Sequence, residues 1–185
     1  EYKLPFTVQV QTEEVKSAGR KVSSLEEFLH IAKEDFHEAY RIFTERHFSL
    51  ILSDQSEKIR SLYAGMSQQP VTYQHLEEFL IAAGAKEKVT LSLNREEASF
   101  YDVSESVQES LYIHRSGWGH LRADIEVNGD FLEAGKHVVT EEDFIGSSCE
   151  INYVIRQEKL GKGNQYGEII VKTPYQKLIY HVLAS

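Results

Sequence analysis

With 185 residues, 41% hydrophobic and 11% aromatic, the chain has enough apolar material for one ordinary domain or two small ones, which excludes a disordered polypeptide. Its net charge of -9, spread over both halves of the sequence, offers no basic surface for phosphate, so a nucleic-acid partner is excluded. A single cysteine, Cys149, excludes an internal disulfide and any multi-thiolate metal site.

No run approaches the roughly 20 apolar residues of a membrane helix, so no membrane insertion is expected. EYKLPFTVQV at the start has no basic flank or small-residue cleavage site. The compartment stays open between cytoplasm and cell surface.

Residues 2 to 10 alternate, with Leu4, Phe6, Val8 and Val10 on one face against Lys3, Thr7 and Gln9 on the other, and Pro5 marks a strand start or edge. This is one strand without a neighbour in sequence. The polar, unpatterned EEVKSAGRKVSS makes residues 13–23 a linker. From Ser24, Leu25, Phe28, Leu29, Ala32, Phe36, Ala39, Tyr40 and Phe43 recur at three- and four-residue steps, and Ser24 with Glu27 forms a capping-box pattern. The spacing predicts a helix that bends or restarts near Lys33, then shorter helices around Glu57–Met66 and from Thr72 to Ala83, with Gly84 as terminator. Residues 24–86 are expected to be a small helical domain with a thin core.

After Ala85 the period becomes two. Residues 89–93, 109–114, 120–127, 149–156, 167–173 and 176–183 each predict a strand, separated by Gly, Asn and Pro turns. Several short strands at near-regular spacing make residues 87–185 an antiparallel β-sandwich, with Leu111, Ile113, Ile151, Tyr153, Ile169 and Tyr180 among its inward side chains. SGWG (116–119) falls between two of these strands and predicts a tight hairpin whose glycines supply positive φ. Trp118 is expected as a plug over the rim of the core, with an exposed contact as the alternative. EYKLPFTVQV also echoes the last strand, YQKLIYHVLAS. Residues 1–12 are therefore expected to be the terminal strand of a truncated preceding β-sandwich, and the chain a fragment of a longer modular array.

Three runs, SGWGHLRADIEV, DFLEAGKHVVTEEDFIG and YVIRQEKLGKGNQYGEIIVKTPYQKLIYHV, resemble a family of long modular proteins of unknown function from Gram-positive anaerobes. The β half is also similar to bacterial immunoglobulin-like sandwich domains in Gly117, Gly119 and Leu121, then Leu160, Gly163, Gly167, Ile169 and Val171. The resemblance implies an α+β chain in which a small helical bundle is followed by an immunoglobulin-like antiparallel β-sandwich. Its motifs are architectural and imply no activity.

Chemistry-bearing patterns are few. His30, Glu34 and His37 share a helical spacing that could hold a metal, but they oppose the apolar stripe without a fourth ligand, so a solvated helix face is expected. The run Glu141, Glu142, Asp143 lacks the glycine and spaced ligands of a calcium loop and is expected as a short helical turn capped by Thr140. GKGNQYG (161–167) precedes a strand and reads as a turn, and Cys149 lies on an alternating strand where it should be buried and inert. No catalytic residue, metal site or cofactor is nominated.

The one binding hint is aromatic. Tyr112, His114, Trp118, Tyr166 and Tyr175 are expected on the outer face or loops of the sandwich, where rings stack on a sugar or anchor a protein. The simpler account is that ten tyrosines in a small protein leave several partly exposed. The sequence thus points to a non-enzymatic structural or protein-interaction segment whose partners are adjacent modules of the same chain or another protein. The alternative is a carbohydrate-binding module that uses those aromatics on a glycan.

Overall fold

The computed structural model describes residues 21–185, and the chain divides into two compact units at Ala85 and Lys86. The strand over residues 2–10, the preceding-sandwich reading of residues 1–12 and the linker as far as residue 20 lie outside the described residues. The described chain is mixed α+β, with helices in the first unit and two β-sheets in the second.

The first unit contains α1 (Leu25–Glu34), α2 (Phe36–Phe43), a 3-10 segment (Arg46–Leu52), α3 (Glu57–Met66) and α4 (Tyr73–Ala82). Ser24 Oγ accepts the Glu27 N–H at 3.2 Å, satisfying one of the orphan donors of α1, and the Glu27 carboxylate accepts the N–H of Ser23 just ahead of the cap. The expected restart occurs at Asp35, which leaves helical geometry and caps α2 by accepting the Glu38 N–H at 3.1 Å. At the far end, Gly84 takes a φ of 75° that places its N–H on Ile81 O and the Ala85 N–H on Leu80 O, stopping α4.

Four phenylalanines, Phe28, Phe43, Phe48 and Phe79, fill the core of this unit, with Phe28 edge-on to Phe48 at 4.7 Å and Phe43 tilted against Phe79 at 5.3 Å. The burial differs from the expected stripe in two respects. Ile31 is buried while Leu29 and Phe36 are only half-buried, and Phe48 and Leu52 enter the core from a 3-10 segment whose three-residue period does not display a 3.6-residue pattern. Glu77 is buried on α4 beside Leu76, a position the apolar pattern does not reveal.

The second unit holds β1 (Thr90–Leu93), β2 (Glu97–Phe100), β3 (Val107–Ser116), β4 (Arg122–Asn128), β5 (Leu132–Ala134), β6 (Val138–Thr140), β7 (Ser148–Ile155), β8 (Gln165–Lys172) and β9 (Lys177–Ala184). They form a four-stranded sheet in the order β1-β3-β7-β5 and a five-stranded sheet in the order β2-β9-β8-β4-β6. Every pairing is antiparallel except β2 with β9. Inward side chains of both sheets make one hydrophobic cluster, which includes Leu111 and Ile113 of β3, Ile151 and Tyr153 of β7, Ile169 and Val171 of β8 and Tyr180 of β9. Full burial of each such aliphatic side chain stabilises the fold by about 1.5–3 kcal/mol.

The expected SGWG hairpin does not form. β3 pairs with β1 and β7, whereas β4 pairs with β6 and β8, so residues 116–119 carry the chain from one sheet to the other. Gly117 and Gly119 do adopt positive φ, at 85° and 104°, but they serve a crossover and not a two-strand turn. The short strands β2, β5 and β6 were not foreseen; β5 and β6 have three residues each, too few to display an alternation.

Two polar ties join the sheets. The hydroxyls of Tyr153 and Tyr180, both fully buried, hydrogen-bond across the core at 2.8 Å, and the Arg95 guanidinium lies 5.9 Å from the Tyr180 ring centre. The side-chain amide of Gln176 accepts the Leu91 N–H at 2.7 Å and donates to Leu91 O at 3.1 Å, engaging the edge strand β1 as another strand would. Tyr180→Phe is expected to destabilise the unit by about 1–3 kcal/mol, because it strands the Tyr153 hydroxyl in an apolar core. Adding Tyr153→Phe should cost less than the sum of the single losses, as read by denaturant unfolding of the four proteins of that cycle.

Candidate functional site

Because Leu111 and Ile113 point into the core, Gln108, Ser110, Tyr112 and His114 emerge on the outer face of the four-stranded sheet. Across the β3–β7 ladder they stand opposite Val154, Asn152, Glu150 and Ser148. The result is a polar sheet face. Ser110 Oγ lies 2.7 Å from Glu150 Oε1 and 2.8 Å from Asn152 Oδ1, and His114 Nδ1 shares a 2.7 Å hydrogen bond with Ser148 Oγ. Tyr112 is 39% exposed in the same row, its backbone N–H donating to Asn94 Oδ1 at 3.0 Å.

Beside this row an open groove of about 470 Å³ crosses β3, β7 and β5, lined by Gln108, Ser110, Glu133, Gly135, Asn152 and Val154 among others. Gly135 lies close against β7, where a Cβ would stand 3.1 Å from Asn152 O. Glu133 forms an acidic wall of fixed orientation. Its carboxylate accepts from Arg156 Nε and Nη2 at 3.0 and 2.8 Å and pairs with Lys159 Nζ at 3.5 Å, and the Arg156 hydrogen bonds hold its pKa below the ordinary carboxylate value. Hydroxyl, amide and carboxylate groups on a rigid sheet can donate to and accept from a polyhydroxylated or peptide ligand, with Tyr112 as an apolar surface alongside.

The remaining aromatics do not join this face. Trp118 is half-buried in the β3–β4 crossover, with Lys86 Nζ 5.0 Å from its ring centre and hydrogen-bonded to its carbonyl oxygen. Tyr175, in the β8–β9 turn, carries Lys88 Nζ 4.8 Å from its own ring centre. Tyr166 projects from β8 in the other sheet and is 76% exposed. Tyr112 and His114 are therefore together, Trp118 and Tyr175 are each covered by a lysine, and Tyr166 stands apart. Ser110, Glu133, Glu150 and Asn152 were missed by the sequence reading; alternation could have placed three of them outward, but nothing local says that β3 lies beside β7.

The crossover that carries Trp118 is held by Glu141. Its Oε2 accepts the Leu121 N–H at 3.0 Å and its Oε1 lies 3.8 Å from His120 Nδ1. Burial opposes its charge, but the bonds from His120 and from the backbone N–H groups of Glu141 and Leu121 outweigh that and push its pKa down to about 2. The acidic run around it forms the expected short turn, in which the Asp143 carboxylate accepts the Thr140 N–H at 2.8 Å.

His30 and Glu34 pair at 3.1 Å on an exposed face of α1, whereas His37, beyond the break at Asp35, shares a 3.0 Å hydrogen bond with the Tyr73 hydroxyl. Cys149 is buried among the inward side chains, and burial pushes its thiol pKa up. Among the described residues no group of three metal-binding side chains converges, and no helix is long and apolar enough to cross a membrane.

A family model described as the N-terminal part of a family of unknown function, DUF5717, matches residues 1–185. The chain belongs to this family. No curated protein matches the DUF5717 chain. Among solved structures it is similar to the ASH / PapD-like domain 7 of human CEP192, at 7% identity and a TM-score of 0.40 over 51% of this chain and 83% of that one. It is also similar to the VesB protease of Vibrio cholerae, at 9% identity and a TM-score of 0.34 over 51% and 31% of the two chains. A FixG-related protein from Vibrio parahaemolyticus gives 14% identity and a TM-score of 0.34 over 52% and 93%. Similarities this remote transfer no activity to the DUF5717 chain.

With a folded pKa of about 2 against an ordinary 4.5, Glu141 contributes stability that is complete above about pH 5 and is lost as the pH falls from the ordinary value toward the folded one. Glu141→Gln is expected to flatten this limb in denaturant midpoints recorded from pH 6 down to pH 3, and to broaden the Trp118 fluorescence response at neutral pH.

Proposed function

We propose that this DUF5717 segment is a non-enzymatic interaction module within a longer modular protein, its β unit an immunoglobulin-like sandwich that presents sheet faces to neighbouring modules or to another protein. The observation that carries the reading is the form of its two described sheet grooves. Each is a shallow, open depression running across several strands, of about 470 Å³ on one sheet and about 400 Å³ on the other, and such surfaces suit extended contacts made by many weak partners. The carboxylates with lowered pKa values, Glu133, Asp143 and Glu141, are held by Arg156, Lys136 and His120, which is the arrangement of structural ion pairs that shape a surface. Membership of a long protein from Gram-positive anaerobes, inferred from sequence resemblance, belongs to the same reading.

A second reading, carbohydrate binding, is favoured by one specific feature: Tyr112 lies in register with Glu150 and two residues along β3 from the Ser110–Asn152 pair, so a sugar ring stacked on the tyrosine would find hydroxyl, amide and carboxylate groups along the same face. The two readings separate experimentally. Ester, phosphoester, peptide and glycoside substrates are expected to give no turnover that depends on a groove residue, and turnover abolished by Ser110→Ala or Glu133→Gln would overturn the non-enzymatic reading. If the groove takes glycans, Tyr112→Ala and Asn152→Ala should each weaken an array-identified ligand about tenfold, near 1.4 kcal/mol.

A further inference from the structure

The outer face of the five-stranded sheet carries a second groove, and its charge is unlike that of the first. The register places Glu97 of β2, His181 of β9, Glu168 of β8 and Asn128 of β4 in one row across the sheet, with Ser99, Leu183 and Tyr166 in the adjacent row. These residues line a depression of about 400 Å³. Glu97 and Glu168 flank His181 on either side, two strand spacings or about 10 Å apart.

Several surface carboxylates of this unit are matched by cations: Glu133 by Arg156, Asp143 by Lys136, Asp124 by Arg122, Glu126 by Lys172 and Glu109 by Arg95. Glu97 and Glu168 are unmatched and line one groove together with Tyr166 and Leu183. Among the described residues neither has a lysine or arginine within ion-pair range, and Glu168 is held only by Asn128 Nδ2 at 3.4 Å and by His181 Nδ1 at 3.7 Å. Between these two charges and the sheet end stands Tyr166, 76% exposed, next to the half-buried Leu183. An exposed aromatic ring, an apolar neighbour and two carboxylates without a lysine or arginine partner are complementary to a long cationic side chain, whose stem packs on apolar surface while its head meets the carboxylates and the ring.

We propose that this face docks an extended basic segment of a protein partner, with an arginine or lysine seated above the exposed His181, between the Glu97 and Glu168 carboxylates and against Tyr166. The proposal rests on the interaction-module reading and names the chemistry of one partner. Alternate side chains of an extended peptide point to one side, so basic residues at every second position would meet the row. The net charge of -9 adds long-range attraction for the same partner.

The test is fluorescence anisotropy on the whole chain with a labelled peptide of alternating valine and arginine, and a matched peptide carrying glutamate in place of arginine. The arginine peptide is expected to bind, more weakly as salt rises, with backbone NMR shifts centred on Glu97, Tyr166 and Leu183. Glu97→Gln with Glu168→Gln should reduce affinity about fivefold or more, whereas Glu57→Gln with Glu78→Gln, which removes the same charge from exposed helix positions, should leave it nearly unchanged. Tyr166→Ala should weaken binding without altering the unfolding midpoint. Equal loss from both charge pairs, equal binding of the glutamate peptide, or shifts confined to the other sheet would overturn the proposal. Shifts confined to the Ser110–Asn152 groove would overturn this docking site and leave the interaction reading standing, whereas groove-dependent turnover would bring down that reading itself.

Discussion

The β unit depends on the contact between its two sheets, and at the centre of that contact lies a polar one. Tyr153 and Tyr180 approach from opposite sheets, each wholly shielded from water, and satisfy one another at 2.8 Å. Their rings, 5.6 Å apart and near edge-on, supply apolar bulk while the hydroxyl pair specifies one relative placement of β7 against β9. Apolar side chains alone tolerate small slips between layers. A buried hydroxyl pair does not, because a slip would leave both groups unsatisfied in a medium that penalises them. Burial also raises the Tyr153 pKa, so its hydroxyl keeps its proton.

Once the sheets are set, the composition of each outer face follows from the pleat. Inward Leu111 and Ile113 send Ser110, Tyr112 and His114 outward, and inward Ile169 and Val171 send Glu168 and Tyr166 outward on the other sheet. The two faces have different characters. One is a network in which hydroxyl, amide and carboxylate groups already bond to each other; the other holds carboxylates that no lysine or arginine neutralises among the described residues. A module with two such faces can engage two dissimilar surfaces, and its rigid strands keep the spacing between recognition groups constant.

Capping and alternation were the parts of this molecule most legible in its sequence. Ser24, Thr72 and Thr140 lie at the helix and turn starts that their side chains announce, because capping is a contact between residues three positions apart. The long strands β3, β4, β7, β8 and β9 are likewise visible from apolar residues at every second position. Where local rules misled, the cause was non-local. SGWG has the composition of a hairpin turn and the φ angles of one, but the partners of its flanking strands are β7 and β8, some thirty to fifty residues further along the chain. Phe48 and Leu52 entered the helical core through a 3-10 segment with no periodic signature.

What the sequence determined by itself is which side chains of the long strands face inward and where the capped helices begin, since both arise from the two-residue period of a strand and the short reach of a cap. Only tertiary structure decided which strands are neighbours, and with that which polar residues share a surface. Ser110 meets Asn152, and Glu97 flanks His181 opposite Glu168, solely because hydrogen-bonded ladders bring distant segments into register. Pairing depends on the closing of one core by both sheets together, and no window of the sequence contains that information.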